Sequence, residues 1–263
     1  MKKITIKTLR EMKAKGEKFS CITSYDATFT HAINEAGAET ILVGDALGMV
    51  VQGHETTVPV KMSDMVYHTE AVARGNKSSL IMADLPFMAY SNKEQALANA
   101  TALMQAGAHM VKMEGGAWLS DIIASLTTMG VPVCAHMGLT PQSINTMGGY
   151  RVHGKSVEEA DAIKREAKEL ENAGTAMLVL ECVPTQLAKE ISEELSIPVI
   201  GIGAGADTDG QVLVLHDLLG LSTHTPKFVK NFMQGQDSIQ GALSAFVNAV
   251  KHRDFPEEKH TYC

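Results

Sequence analysis

No run of apolar residues in this 263-residue chain approaches the roughly twenty that a membrane-spanning helix requires. Cysteine is scarce and scattered, because Cys21, Cys134, Cys182 and Cys263 form no C-x-x-C pair. This spacing indicates neither a disulfide framework nor a structural zinc site. We therefore expect no membrane partner and a fold that is held together by its core alone.

Basic charge is also in short supply. The formal net charge is −7 and no dense cluster of Lys and Arg is present, which argues against nucleic acid as a partner. The first ten residues are basic, but no apolar segment follows them as a secretory signal peptide would require. These observations predict a soluble, cytoplasmic protein.

Aromatic residues make up 5% of the chain and hydrophobic residues 45%, a balance that suits aliphatic packing between strands and helices. Length alone allows one α/β barrel or two smaller domains. No internal repeat, low-complexity segment or linker divides the sequence, so we predict a single domain over residues 1–263.

The apolar residues are concentrated in short segments that end in ionisable side chains. Such bounded segments are typical of strands that are buried on both faces, as in parallel sheets. A carboxylate at the end of a buried strand is costly unless something pairs with it. We therefore predict that these strand ends converge on one acidic site. The five clearest segments are Thr40–Asp45, Leu80–Asp84, Met110–Glu114, Val131–His136 and Met177–Glu181.

Seven or eight strand–helix units follow one another, which predicts an α/β fold and specifically a (β/α)8 TIM barrel, with an open doubly wound sheet as the alternative. A charged amphipathic segment from Ile6 to Lys18 predicts an N-terminal helix outside the main fold. We expect helix from Pro226 to Val250, and we expect the charged stretch from Lys251 to Cys263 to be loosely attached.

Three acids, Asp45, Asp84 and Glu114, close strands that would be neighbours in a barrel, where catalytic groups come from the carboxyl ends of strands. Three carboxylates brought together repel one another, so the cluster needs a cation or must stay partly protonated. Oxygen ligands suit Mg²⁺, which also keeps waters or binds substrate oxygens. The alternative for each acid taken alone is a helix cap or a turn residue.

Three further residues are candidates for the chemistry. Lys112 shares a strand face with Glu114, where its ammonium would bind a substrate carboxylate or form an internal salt bridge. His136 would donate a hydrogen bond to a developing oxyanion, or it is structural. Glu181 follows an apolar strand and is a candidate general base, with a solvated loop acid as the alternative. The Gly-rich segment from Gly138 to Gly149 is of the kind that covers a site.

A glycine-rich stretch, Gly201–Gly205, has the composition of a phosphate-binding loop, but close backbone packing at the barrel rim explains it equally well. The pair His216 and Asp217 has no second pair to complete a metal site, so we interpret it as structural.

Several motifs together closely resemble those of the ketopantoate hydroxymethyltransferase family, and the similarity covers nearly the whole chain. They are Gly44–Met49, Val51–His54, Ala83–Met88, Val111–Gly116, His136–Gln142, Leu180–Pro184 and Ile200–Gly205. The resemblance implies a (β/α)8 barrel of the phosphoenolpyruvate mutase and isocitrate lyase type, assembled as a homodecamer. It also implies transfer of a hydroxymethyl group from 5,10-methylenetetrahydrofolate to 3-methyl-2-oxobutanoate, giving 2-dehydropantoate for pantothenate synthesis.

The resemblance also implies roles for individual residues. Asp45, Asp84 and Glu114 would hold one Mg²⁺ per subunit, directly or through water. Asp45, Asp84 and Lys112 would contact the 2-oxo acid, and Glu181 would be the base. The family pattern has Ser where this chain has Ala46, and that hydroxyl would contact the substrate carboxylate.

Two other functions stay open on the sequence. A carbon–carbon lyase of the isocitrate lyase kind would use similar enolate chemistry, although the catalytic Cys motif of that family is not apparent here. A catalytically inactive barrel would serve as a binding module, although every proposed metal and base position is occupied by a suitable residue.

Overall fold

The structure is a computed structural model that describes residues 2–223 and 225–263. Its centre is a closed barrel of eight parallel strands in chain order, in which β8 returns to pair with β1 through Phe19 and Gly210. The barrel class predicted from the strand–helix order is therefore confirmed, and the open-sheet alternative is excluded. The strands are β1 Phe19–Thr23, β2 Thr40–Val43, β3 Leu80–Asp84, β4 Met110–Glu114, β5 Val133–Gly138, β6 Met177–Glu181, β7 Val199–Ile202 and β8 Gly210–Leu213.

Helices surround the strands, and short 3₁₀ turns lie at Ala117–Leu119, Pro141–Ser143 and Glu258–His260. In the part of the chain that the structure describes, no helix has the length and apolar character needed to cross a membrane. The helices are α1 Ile6–Lys15, α2 Ala27–Ala36, α3 Leu47–Val50, α4 Met62–Gly75, α5 Lys93–Gln105, α6 Ser120–Thr128, α7 Ile144–Met147, α8 Val157–Asn172, α9 Thr185–Glu194, α10 Leu215–Leu218 and α11 Ile239–Lys251.

Alternate residues of each strand contribute to two separate cores, because successive side chains of a strand point to opposite faces. One set belongs to the cluster inside the barrel: Leu80, Met82, Met110, Cys134, Met177 and Val179. The other set packs against the helices outside: Ile81, Ala83, Val111, Met113, Ala135 and Leu178. Along β3, β4 and β6, the interior residues are separated by two or four positions from the ionisable residue that ends the strand. Residues at this spacing share a face, so those ionisable side chains point into the barrel.

The N-terminal helix α1 differs from the prediction because it ends three residues earlier and packs against the barrel. Its Leu9 is fully buried in the interior cluster, and Lys13 forms an ion pair of 2.7 Å with Asp209 next to β8. The buried Leu9 shows that α1 contributes to the core from which the prediction excluded it.

The C-terminal predictions were wrong in two respects. Helix is present only from Ile239, because Gly235 has a positive φ of 80° and Ser238 caps α11 through its hydroxyl. The final stretch is firmly packed, since Phe255 is 3% exposed and meets the rings of Phe232 and Phe246 edge to face. These aromatic contacts stabilise a segment that its charged composition had suggested would be loose.

Candidate active site

The predicted residues meet at the carboxyl ends of the strands. Asp84 ends β3 and lies beside Lys112 of β4 in the sheet register, and Glu114 of β4 lies beside His136 of β5. Glu181 ends β6, opposite Gly138 of β5. Parallel strands put all their carboxyl ends at one rim of a barrel, which is the end where active sites of this architecture form.

The carboxylates and Lys112 are in direct contact. The backbone N–H of Asp45, which lies two residues after the end of β2, donates to Asp84 Oδ2 over 2.9 Å. Lys112 Nζ lies 2.7 Å from Asp84 Oδ1 and 3.9 Å from Glu114 Oε1. All four side chains are buried, so these charges interact in a medium of low polarity and are strongly coupled.

Burial and mutual repulsion set the protonation of this cluster. Burial, followed by the charges of Asp84 and Glu114, raises the pKa of Asp45 well above its usual range. Burial alone would lower the pKa of Lys112, but the three carboxylates outweigh it and keep the ammonium charged. Burial likewise opposes ionisation of Glu114, yet its contacts with His136, Lys112 and Gln142 lower its pKa. A further positive charge beside Asp45 would therefore favour its ionised form.

His136 connects the acid cluster to Glu181. Its Nδ1 lies 3.4 Å from Glu114 Oε1 and its Nε2 lies 3.2 Å from Glu181 Oε2, although neither contact has the alignment of a hydrogen bond. Burial and Lys112 oppose protonation of the ring, but the two carboxylates prevail and raise the pKa of His136 to about 9. The ring therefore carries a positive charge between two carboxylates at neutral pH.

The structure adds Gln142 and Tyr90, which the sequence did not identify as site residues. Gln142 donates from Nε2 to Asp45 Oδ2 over 2.8 Å and from its backbone N–H to Glu114 Oε2 over 2.9 Å. Tyr90 donates from its hydroxyl to Gln142 Oε1 over 2.6 Å and accepts from the backbone N–H of Glu114 over 3.2 Å. Gln142 lies in the predicted covering loop, so the loop's position was the available signal, but no local pattern distinguishes this amide.

The structure shows the surroundings of three other features that the sequence analysis singled out. Ala46 is half-buried at the start of α3, where its methyl group leaves the helix without a side-chain cap. In the Gly201–Gly205 stretch, a Cβ at Gly203 would lie 2.8 Å from the ring of Phe228, so close packing accounts for the glycine. His216 stacks at a tilt on the buried ring of Tyr25, which favours the structural interpretation.

Two cavities are prominent. The larger, of about 440 Å³, lies among Lys3, Asn76 and His109, close to residues that precede β3 and β4, and is therefore remote from the acids. The smaller, of about 290 Å³, is lined by Gly115, Trp118 and Gly138, which adjoin the acid-bearing strand ends. We consider the smaller cavity the more relevant, because it adjoins the strand ends that carry the predicted site residues.

The acid cluster is chemically suited to a hard divalent cation. Its oxygen donors are those that Mg²⁺ prefers, and Mg²⁺ needs only one or two carboxylates when waters or substrate oxygens complete its coordination. Within the described residues, no three His, Cys, Asp or Glu side chains already surround one metal position. The raised pKa of Asp45 is the observation that fits a missing positive charge.

The fold is a (β/α)8 barrel like those of solved structures in the phosphoenolpyruvate mutase and isocitrate lyase superfamily. Phosphonopyruvate hydrolase superimposes with a TM-score of 0.63 at 14% identity, covering 84% of both chains. The lyase 2,3-dimethylmalate lyase, a member of that superfamily, gives 0.57 at 16% identity over 79% of this chain and 80% of its own. At these identities the likeness establishes the fold alone.

Sequence comparison identifies the family. The family model for ketopantoate hydroxymethyltransferase matches residues 3–258, and the chain belongs to that family. A 3-methyl-2-oxobutanoate hydroxymethyltransferase of Pseudomonas fluorescens (strain Pf0-1) is 60% identical over 100% of this chain and 99% of its own length. Another enzyme of that name, from Hahella chejuensis, is 58% identical over 98% of both chains.

Proposed function

We propose that the chain transfers a hydroxymethyl group from 5,10-methylenetetrahydrofolate to 3-methyl-2-oxobutanoate, giving 2-dehydropantoate for pantothenate biosynthesis. Family membership and the names of relatives that match over their whole length support this activity. The structural observation that carries it is the buried group of three carboxylates and Lys112, connected by His136 to Glu181.

The reaction requires removal of the proton on C3 of the oxo acid, with the electron pair delocalised onto the keto oxygen. The resulting carbon nucleophile forms a bond to the one-carbon unit, and the carbon–nitrogen bonds of that unit to the folate are broken. Water supplies the hydroxyl oxygen of the product. The chain therefore needs a base, a positively charged environment for the oxo acid, and a site for the folate.

Glu181 is our candidate for the base. Its side chain is 13% exposed, and its Oε2 lies 3.2 Å from Nε2 of the positively charged His136 ring. A base positioned in this way contributes roughly 10²–10⁴-fold to a reaction rate. The imidazolium of His136 also offers positive charge to oxygen atoms that become negative.

Lys112 is our candidate for binding the oxo acid. Its ammonium is buried and held among Asp84, Glu114 and Asp45, which keep it charged. An ammonium inside a barrel attracts an anionic substrate into a site that would otherwise repel it. A substrate carboxylate would share this ammonium with Asp84.

Asp45, Asp84 and Glu114 are the residues that would hold Mg²⁺, with waters or substrate oxygens completing the coordination. Bound Mg²⁺ would make the C3 proton of a 2-oxo acid more acidic by withdrawing electrons from the keto and carboxylate oxygens. Gln142 orients the Asp45 carboxylate for this task through its 2.8 Å hydrogen bond.

Ala46 lies beside Asp45 and would meet the substrate carboxylate with a backbone N–H alone. A hydroxyl at this position would add a hydrogen bond worth about 0.5–1.5 kcal/mol, or more to a charged acceptor. We therefore propose that this chain binds the oxo acid more weakly than a family member with Ser there, and that the chemistry itself is unchanged.

The test is a deuterium exchange assay on 3-methyl-2-oxobutanoate in D₂O. The wild-type chain should exchange the C3 proton only when Mg²⁺ is present, and should form 2-dehydropantoate when 5,10-methylenetetrahydrofolate is added. Exchange without product formation would point to a different enolate enzyme such as a lyase. Absence of exchange with Mg²⁺ would refute the enolate mechanism and favour a binding module.

Glu181→Gln tests the base directly. The substitution keeps the size of the side chain but removes the basic oxygen, so kcat should fall about 10²–10⁴-fold while KM for the oxo acid changes little. Glu193→Gln, an exposed position on α9, is the matched control. Normal turnover in Glu181→Gln would remove the base assignment.

We also propose a cytoplasmic homodecamer, on the strength of the family resemblance. Light scattering coupled to size-exclusion chromatography should give ten chains per particle, and a smaller stable particle would contradict the decamer.

A further inference from the structure

The cavity of about 290 Å³ lies between α8 and the strand ends that carry Glu114 and Glu181, although neither of these acids lines it. One of its walls is Gly115, the residue after Glu114, and another is Gly138, which pairs in register with Glu181. A ligand in this cavity would therefore contact the backbone next to both carboxylates. The catalytic roles assigned above make no use of this space.

A rigid aromatic surface borders the cavity. Trp118, the only tryptophan of the chain, is 60% exposed. It stacks nearly parallel on Tyr90, with ring centroids 6.0 Å apart and planes inclined by 10°. A Cβ at Gly115 would lie 2.7 Å from the indole, so glycine allows this close contact. An exposed indole that is held from behind is a surface on which a flat ring can stack.

The cavity also contains hydrogen-bond acceptors. Glu166 of α8 lies over Gly116, where its Oε2 accepts from the backbone N–H of Ala117 over 3.3 Å. Across residues 2–223 and 225–263, no Lys or Arg forms an ion pair with this carboxylate. Its remaining acceptor capacity is free for a ligand, because a carboxylate can accept several hydrogen bonds.

His153 supplies a second acceptor. It is 7% exposed, and its Nδ1 lies 3.2 Å from Glu159 Oε1, a carboxylate oxygen that accepts hydrogen bonds and donates none. Nδ1 therefore carries the hydrogen. Burial and the neighbouring Arg151 lower the pKa of His153, so the ring is neutral and Nε2 presents a lone pair. In the described part of the chain this buried Nε2 has no hydrogen-bond partner, and the ring lines the cavity.

We propose that this cavity binds the pteridine ring of the folate co-substrate, an inference that rests on the proposed function. The ring is flat and would stack on Trp118. Its aminopyrimidinone edge presents an amino group and an adjacent ring N–H. Glu166 would accept hydrogen bonds from both. The N8–H of the reduced ring, which the one-carbon unit leaves free, would donate to the lone pair of His153 Nε2.

The dimensions fit this occupant. A cavity of about 290 Å³ is near the lower limit for small-molecule sites, so it would take the bicyclic ring but not the aminobenzoyl-glutamate portion. That portion would extend into solvent past the exposed edge of Trp118. The one-carbon unit is attached where the ring joins that portion, and would therefore lie at the mouth of the cavity, near the strand ends that carry Glu114 and Glu181.

The single tryptophan makes binding directly observable. We would titrate the wild-type chain with tetrahydrofolate under reducing conditions and follow Trp118 emission, using N-acetyltryptophanamide to correct for absorption. Saturable quenching is expected. The isolated ring, as 6-methyltetrahydropterin, should also quench, whereas p-aminobenzoylglutamate should not. No saturable quenching by tetrahydrofolate, or quenching by p-aminobenzoylglutamate alone, would overturn the proposal.

Variants locate the binding to the cavity. Glu166→Gln removes the charged acceptor, and the Kd for tetrahydrofolate should rise roughly 10–100-fold. Glu169→Gln, an exposed acid on the same helix, is the matched control and should leave the Kd unchanged. By calorimetry, Trp118→Ala should weaken binding and Trp118→Phe should largely restore it. Equal affinity in wild type and Glu166→Gln would overturn the role of the carboxylate.

The C3 exchange assay keeps this inference separable from the proposed function, because exchange needs no folate. Wild-type exchange with Mg²⁺, combined with absence of tetrahydrofolate quenching, would overturn the ring site and leave the oxo-acid chemistry in place. Quenching without exchange would refute the proposed reaction while retaining a pteridine site.

Discussion

Replacing Gln142 should disturb the site clearly, although the substitution itself removes no ionisable group. Gln142 is 5% exposed, and its side chain makes three hydrogen bonds: to Asp45 Oδ2 at 2.8 Å, to the carbonyl of Leu85 at 3.0 Å, and from the hydroxyl of Tyr90 at 2.6 Å. Gln142→Leu would leave all three partners buried and incompletely paired while keeping the approximate volume of the side chain.

The magnitude follows from the kind of each hydrogen bond. Each of the three contributes about 0.5–1.5 kcal/mol, and the bond to Asp45 contributes more when that carboxyl is ionised. The apolar replacement and any water that enters offset part of this, so we expect a loss of about 3 kcal/mol in the free energy of unfolding. For a chain of this size, that corresponds to a Tm lower by roughly 6–12 °C.

The assay is thermal or urea unfolding at neutral pH, with Gln186→Leu as the control. Gln186 is exposed on α9, where its amide reaches only the neighbouring Glu190, so its loss should cost no more than about 0.5 kcal/mol. Gln142→Glu adds a further check. The introduced carboxyl would be buried beside Asp45 and Glu114, so its ionisation at neutral pH costs stability, and the variant should regain stability as the pH falls. A loss below about 1 kcal/mol in Gln142→Leu would refute our account of this amide.

Three further predictions concern the metal, the substrate and the thiols. Mg²⁺ at about 100 times its Kd should stabilise the wild-type chain by about 2.7 kcal/mol, whereas Asp84→Asn should show a smaller rise in Tm; equal shifts would contradict the metal assignment. Ala46→Ser should lower KM for the oxo acid by about threefold to tenfold without changing kcat, and steady-state kinetics with no change in either constant would dispose of this explanation. Iodoacetamide should label the native chain only at Cys263, because burial raises the pKa of the thiols of Cys21 and Cys182 to about 12 and that of Cys134 further still. Mass spectrometry should therefore find one adduct in the native chain and four after denaturation, and early labelling of a buried thiol would count against the packing described.

Much of the architecture was predictable because it is local. The alternation of Leu80, Met82 and Asp84 along one strand determines that the acid shares a face with interior apolar residues, and the same spacing places Lys112 with Glu114. Parallel strands then bring their carboxyl ends to one rim, so the meeting of distant acids follows from the strand order. The prediction for the last residues was wrong because one apolar ring, Phe255, outweighs the charged residues around it by packing with two others.

The sequence by itself determined the barrel, the strands that carry the acids and the family, because each of these is written in residue spacing or in contiguous motifs. Only the tertiary structure decided that Gln142 reaches Asp45, that His136 lies between Glu114 and Glu181, and that Glu166 and His153 face a cavity beside Trp118. These contacts depend on the path of loops and on the packing of a helix against strand ends. No short-range pattern encodes them, since the partners are brought together only when the barrel closes.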